Sequence, residues 1–163
     1  DDIKLPSNDC PNFYKTKSIA ESESPFLGRR LRIKISSNNI VNPGWLSSDY
    51  ALFHVETFDH TDERSLVNRR DSDFYFLRKL LRHHFPCIVI PPLPKQKTKL
   101  VEKSLAKRQK FFERFLQGIN RSEVLKSSPF FAEFLTEKDE KKFERLVKNT
   151  GNALVKVKTL SEY

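Results

Sequence analysis

Polar and apolar residues alternate strictly over Leu31-Arg32-Ile33-Lys34-Ile35, the two-residue period of a half-buried strand. Asn38-Asn39 and Asn42-Pro43-Gly44 follow, with Trp45 beside them, and this composition predicts a turn or long loop. A second strand is expected over Tyr50–Phe58, where Leu52, Phe53 and Val55 supply the apolar positions. Asp59-His60-Thr61-Asp62 then reads as a hairpin connection to a third strand over Arg64–Arg70. Beyond it the period becomes helical. Over residues 72–84, Phe74, Leu77 and Leu81, with Phe85 just after, share one face, and either Ser72 or Asp71 can serve as N-cap. Arg78, Lys79, Arg82 and His83 project from the far side. Phe85-Pro86 and Ile90-Pro91-Pro92-Leu93-Pro94 exclude helix and predict polyproline II. A long helix is expected over about 101–119, ending near Gly118-Ile119-Asn120, and short helices around 122–126 and 129–135. From Glu137 the pattern is helical to about Lys148 and breaks at Gly151, with a stripe of Phe143, Leu146 and Val147. Strands followed by helices give an α+β class: a three-stranded antiparallel sheet packed on a helical subdomain, with a polyproline loop.

A chain of 163 residues suffices for one domain with tails. Residues 1–28 are polar and expected to form a largely disordered leader, 29–136 the domain, and 137–163 a helical tail or the start of a following helical region. No run of about 18 apolar residues exists to span a bilayer, and the polar start does not resemble a signal peptide. The formal charge of +9 favours a polyanionic partner, either nucleic acid or an anionic membrane. No nucleic-acid-reading module is recognisable and the aromatics are spaced as core, so nucleic acid is not expected. Cys10 and Cys87 stand apart, with no CxxC and no histidine at ligand spacing, which suits a reducing setting with Cys87 as a small core residue. His83 and His84 are neighbours that point different ways on a helix, and His54 and His60 fit no ligand spacing. No Ser-His-Asp elbow, acid pair or glycine-rich phosphate loop stands out. Neither metal, cofactor nor catalysis is expected.

Arg108 breaks the apolar stripe of the long helix. Val101, Leu105, Phe112, Phe115 and Ile119 face inward, and the helical period aims Arg108 with them. A guanidinium there needs an anion. A structural ion pair, with Asp73 as one candidate, supplies it on one reading; a pocket wall awaiting a ligand anion does so on the other. Strand alternation places Arg70, not Arg69, on the side of Leu66 and Asn68. The helix start just beyond Arg70 offers N–H groups suited to phosphate.

Arg69-Arg70-Asp71-Ser72-Asp73-Phe74, the spaced Leu77 and Leu81, Phe85-Pro86 and Ile90-Pro91-Pro92-Leu93-Pro94 resemble the signature of the PX (phox-homology) family. Lys107-Arg108-Gln109, Phe112, Phe115-Leu116 and Ile119 resemble its second helix, and Phe130, Phe134 and Leu135 its closing element. The resemblance covers residues 30–136 in the family's order and spacing. It implies a sheet packed on a helical subdomain, and a headgroup pocket for phosphatidylinositol 3-phosphate on endosomes. By position Arg70 then holds the 3-phosphate, Ser72 lies beside it, and Arg108 takes the inositol hydroxyls. A lysine after the proline run meets the 1-phosphate. Two positions depart from the pattern. Asp71 replaces the aromatic floor of the pocket, and Gln96 replaces the lysine, although Lys95 and Lys97 flank it. A carboxylate about 6 Å from a phosphate at an effective dielectric near 20 costs roughly 2–3 kcal/mol, about two decades of affinity. Asp71 can avoid this by turning outward to cap the helix or to pair with Arg69.

An accessory basic surface is available in Arg78, Lys79, Arg82, Lys99 and Lys103, for shallow and salt-sensitive membrane contact. Apolar material for insertion is sparse, with Leu100 and Val101 alone among the lysines. Protein partners can be met by the tail or by the Pro91–Pro94 turn. Two functions follow. The first is a phosphoinositide-binding membrane-targeting domain of a sorting-nexin-type trafficking protein, cytoplasmic and peripheral on endosomes. The alternative is a PX domain with an impaired lipid pocket that works through protein–protein contacts.

Overall fold

The computed structural model describes residues 24–96 and 102–160, the side chains of 102, 103 and 156–160 excepted. Three strands, β1 (Arg32–Val41), β2 (Tyr50–Phe58) and β3 (Arg64–Arg70), form an antiparallel sheet in the order β1-β2-β3. Five helices follow: α1 (Asp71–His84), α2 (Glu102–Arg121), α3 (Glu123–Lys126), α4 (Pro129–Thr136) and α5 (Glu140–Leu160). The architecture is the α+β one that the pattern predicts.

Alternation divides the sheet into two faces. Ile33, Ile35, Ala51, Phe53, Val55, Val67 and Arg69 are buried against the helices, whereas Leu52, His54, Leu66, Asn68 and Arg70 lie on the other face. The core is built on phenylalanine. Phe74 stacks on Phe112 with ring centroids 4.1 Å apart, and Phe53 and Phe134 meet them edge-on.

The β1 edge is closed by side chains from α2. Glu113 Oε2 accepts from the Ile35 N–H at 2.8 Å, while Gln109, Gln117 and Asn120 donate to the carbonyls of Ile35, Ile33 and Leu31. These four residues fall near the helical i, i+4 spacing, so one polar stripe of α2 satisfies an edge that would otherwise template another strand.

Several sequence expectations change here. Asn38 and Asn39 lie within β1, not in a turn. Their side chains find partners in Gln109 of α2 and His54 of β2, and a bulge between Ile35 and Ser37 absorbs the register shift. The turn falls later, at Gly44–Ser47, where the Ser47 N–H donates to the Gly44 carbonyl at 3.2 Å and Gly44 has φ +114. The long helix continues past Gly118 to Arg121. Gly118 is small because the chain after α1 crosses there: a Cβ on it would lie 2.8 Å from Pro91 Cγ. Gly118→Ala is therefore expected to lower stability by about 1–3 kcal/mol through a shift of Pro91, measurable by thermal melting. Cys87 is exposed rather than core, because Ile90 takes the buried position after α1.

The helix α5 runs through Gly151 without a break. An isolated helical glycine costs only about 1 kcal/mol, and Leu154, buried beyond it, extends the stripe begun by Phe143. The expected leader lies mostly outside the described residues. Its last five, Ser24 to Gly28, include the buried Ser24 and Phe26, the latter part of the core.

Candidate functional site

The adjacent arginines at the end of β3 have opposite fates, as strand alternation requires. Arg69 turns inward and is 1% exposed. Its Nε donates to the Phe134 carbonyl at 2.9 Å, Nη1 to Asn68 at 2.7 Å, and Nη2 to Glu133 at 3.2 Å and Glu137 at 2.7 Å. Three of those carbonyls belong to the end of α4, so Arg69 caps the carbonyl end of that helix. Phe143 of α5 closes over it, with its ring centroid 3.8 Å from the guanidinium carbon. Burial pushes the Arg69 guanidinium down to about 10, still protonated at neutral pH.

Arg70 turns outward. Its guanidinium stacks on Tyr50 at 4.2 Å and approaches Glu144 of α5 at 3.8 Å. Arg70 is also the N-cap residue of α1, a position the sequence reading assigned to Ser72 or Asp71. Asp73 accounts for the difference, because its Oδ2 accepts from the Arg70 N–H at 2.8 Å and starts the helix one residue earlier than an Asp71 cap and two earlier than a Ser72 cap. Ser72 is exposed in the first turn. Arg70 and Ser72 line a cavity of about 180 Å³ with Leu52, Asn68, Asp73 and the α5 residues Glu140, Phe143, Glu144 and Val147.

Arg108 is 6% exposed, as its place in the apolar stripe predicts, and it meets a carboxylate. The carboxylate is Asp71, with Nη1 to Oδ2 at 3.3 Å, not Asp73. Asp73 is turned to the Arg70 backbone, whereas Asp71 faces α2. Asp71 does not pair with Arg69, and the N-cap position belongs to Arg70, but the Asp71 carboxylate does take first-turn backbone N–H groups of α1, that of Ser72 foremost. It is partly buried, and that burial raises its carboxyl above the usual range against the pull of the Ser72 backbone N–H and of Arg108. The residue at the position of the pocket floor thus holds the arginine expected to take the inositol hydroxyls. The two arginines meet one helix start, Arg70 as its cap and Arg108 through Asp71 in its first turn.

A second cavity, of about 560 Å³, opens between α1, the proline segment and α5. Arg78, Lys79, Arg82 and His83 supply its α1 wall, Lys95 and Gln96 its rim, and Tyr75, Leu93 and Leu154 its apolar part. The proline segment is pinned there by two bonds, Tyr75 Oη to the Pro94 carbonyl and Arg78 Nε to the Pro91 carbonyl, both at 2.9 Å. Arg78 is therefore partly committed to structure, while Lys79, Arg82 and Lys95 are exposed. Lys95 does not line the Arg70 cavity, and Arg108 lines neither of these two. Lys97 and Lys99 lie outside the described residues, as does the side chain of Lys103.

The structure also shows contributors that the sequence reading passed over. Tyr50 sits on the outer face two residues from Leu52, the register partner of Arg70, so its stacking needs the β2–β3 register as well as strand parity. Glu140 and Glu144 carried no such signal, because nothing in the sequence brings α5 to the sheet. Trp45 and Leu46, 94% and 80% exposed on the β1–β2 loop, give that loop an apolar tip. More apolar surface is thus available than Leu100 and Val101 suggested. Among the described residues, no helix is long and apolar enough to cross a membrane, and no metal-binding group of His, Cys, Asp and Glu occurs.

Residues 58–138, from the end of β2 through α4, match the PX domain family. The chain is similar to sorting nexin-4 of Homo sapiens, 30% identical over 159 residues that cover 86% of this chain and 32% of that protein. It is likewise similar to sorting nexin-4 of Saccharomyces cerevisiae, 26% identical over 160 residues, or 88% of this chain and 38% of that one. The chain thus spans about a third of the length of these curated relatives. Among solved structures, the X-ray structure of a designed CISK-PX domain matches with a TM-score of 0.56 at 29% identity. That match covers 64% of this chain and 97% of the designed one. The signature at the β3–α1 junction, the sheet-on-helices architecture and these likenesses agree, and the chain belongs to the PX family, in its sorting-nexin-like branch.

Proposed function

We propose that the domain targets membranes by binding phosphatidylinositol 3-phosphate at the start of α1, as part of a sorting-nexin-type trafficking protein peripheral to endosomes on their cytoplasmic side. PX membership supports phosphoinositide binding and membrane targeting in general, as a binding module rather than a catalyst. What supports the finer reading is that Arg70 caps the start of α1 while Arg108 reaches the same turn through Asp71, at the positive end of the helix dipole. Arg70 serves the phosphate and Arg108 the ring hydroxyls. Lys79, Arg82 and Lys95, with Lys97 as a further contact, meet the anionic leaflet around the headgroup. Trp45 and Leu46 suit the interfacial layer.

The test is vesicle sedimentation with and without phosphatidylinositol 3-phosphate. Wild type is expected to prefer the phosphoinositide vesicles, and Arg70→Ala to lose about tenfold in affinity, as removal of a charge-assisted contact should. Trp45 is the one tryptophan of the chain, so its emission reports the loop directly. A blue shift on vesicle binding is expected; equal binding of wild type and Arg70→Ala would end the headgroup reading.

The ion pair between Asp71 and Arg108 favours a second reading, in which the pocket is impaired and the domain works mainly through protein partners met by α5 or the Pro91–Pro94 turn. Absence of headgroup preference in wild type would select it.

A further inference from the structure

The tail helix α5 carries carboxylates to the residue that the proposed headgroup site needs most. Glu140 and Glu144 are four residues apart, hence on one face of α5. Glu144 Oε1 stands 3.8 Å from Arg70 Nη1, and Glu140 Oε1 accepts from Asn68 Nδ2 at 2.9 Å, two residues before Arg70 on the same strand face. Between them Phe143 and Val147 complete the wall of the Arg70 cavity.

This helix is anchored. Phe143 is 3% exposed and packs on Phe130, Phe134 and the Arg69 guanidinium, and Leu154 is buried further along. The anchoring holds the stretch of α5 that carries the two carboxylates against the face that presents Arg70. The cavity they close has about 180 Å³, below the roughly 300–1,000 Å³ of ordinary small-molecule sites. Its charged lining is one arginine against three carboxylates, Asp73, Glu140 and Glu144. Asp73 is bound to the Arg70 backbone and belongs to the helix cap. Glu140 and Glu144 come from outside the sheet and the α1 start, and both bear on the face that presents Arg70.

We propose that Glu140 and Glu144 act as built-in competitors for Arg70, lowering the affinity of the β3–α1 corner for a phosphorylated inositol headgroup. The proposal rests on the headgroup reading above and adds to it a determinant outside the signature residues. A phosphate approaching Arg70 meets a guanidinium already approached by one carboxylate, with a second beside it, and must displace or tolerate both. Neutralising them without changing their shape should release the arginine.

The experiment uses Glu140→Gln with Glu144→Gln, alone and combined with Arg70→Ala. The probes are phosphatidylcholine vesicles with and without phosphatidylinositol 3-phosphate, and inositol 1,3-bisphosphate in solution to separate headgroup binding from surface attraction. The double variant is expected to bind both phosphorylated probes about fivefold more tightly, the range that weakly screened surface pairs allow. The gain should vanish in the Arg70→Ala background. A gain that persists there reflects bulk charge and overturns the proposal. No gain, with binding still dependent on Arg70, overturns the proposal and leaves the headgroup reading standing. No dependence on Arg70 in any variant overturns both. Thermal melts matching wild type exclude a folding explanation, and a double variant that melts markedly lower shows Glu140 and Glu144 to be structural and sinks the idea.

Discussion

Arg69→Ala is expected to unfold the domain far more readily than Arg70→Ala, although the two residues are adjacent and chemically identical. Arg69 donates four hydrogen bonds to backbone carbonyls, three of them at the end of α4, and sits under the Phe143 ring. Truncation removes those donors from a site where little water can replace them and leaves a void beneath Phe143. Loss of a buried, multiply bonded charge of this kind costs about 3–5 kcal/mol. For a chain of this size that is a drop in melting temperature on the order of 10 °C. Arg70, by contrast, is 43% exposed in its side chain and makes one loose pair and one ring contact. Its removal should change stability by no more than about 1 kcal/mol. Arg69→Lys keeps the charge but cannot reach four carbonyls, so it should fall between wild type and the alanine variant. Equal melting temperatures for Arg69→Ala and Arg70→Ala would contradict the capping role.

The double arginine therefore joins the helix cap made by Arg69 to the headgroup contact proposed for Arg70, and strand parity separates them. That parity was legible in the sequence, and it set Arg70 apart from Arg69. What it did not reveal was where Arg69 goes, because the carbonyls it caps belong to a helix more than sixty residues away. The same limit governs the other differences. The bounds of β2 and β3 followed from local alternation and turn chemistry. Asn38 and Asn39 looked like a turn because their partners, Gln109 and His54, are tertiary. Gly118 and Gly151 looked like breaks because a helical glycine is weak in isolation, while Pro91 above one and Phe76 near the other are set by packing. Arg108 was readable as an inward cation needing an anion. The choice between Asp71 and Asp73 was not, since about half a turn of helix decides which carboxylate faces α2 and which binds the strand.

Those two aspartates also set the outcome of the most informative change on the ligand side. Asp71→Tyr is expected to raise affinity for phosphatidylinositol 3-phosphate vesicles by about 30- to 100-fold. The substitution removes a carboxylate beside the proposed phosphate site, a repulsion worth roughly 2–3 kcal/mol at about 6 Å and an effective dielectric near 20. It also removes the carboxylate that Arg108 holds at 3.3 Å, so that a ligand no longer competes with Asp71 for that guanidinium, and supplies a ring against which the inositol can rest. The gain has a cost in the ligand-free protein. Arg108 is 6% exposed, and taking its carboxylate away should destabilise the fold by about 1–3 kcal/mol. The two effects separate cleanly. Without ligand the variant should melt below wild type, and with soluble headgroup its melting temperature should rise by more than that of wild type. Asp71→Asn removes the charge without adding the ring, so its affinity should lie between the two. An unchanged affinity in both variants would mean that the Asp71 carboxylate does not oppose the headgroup, and the domain's lipid preference would then be decided elsewhere than at Arg108.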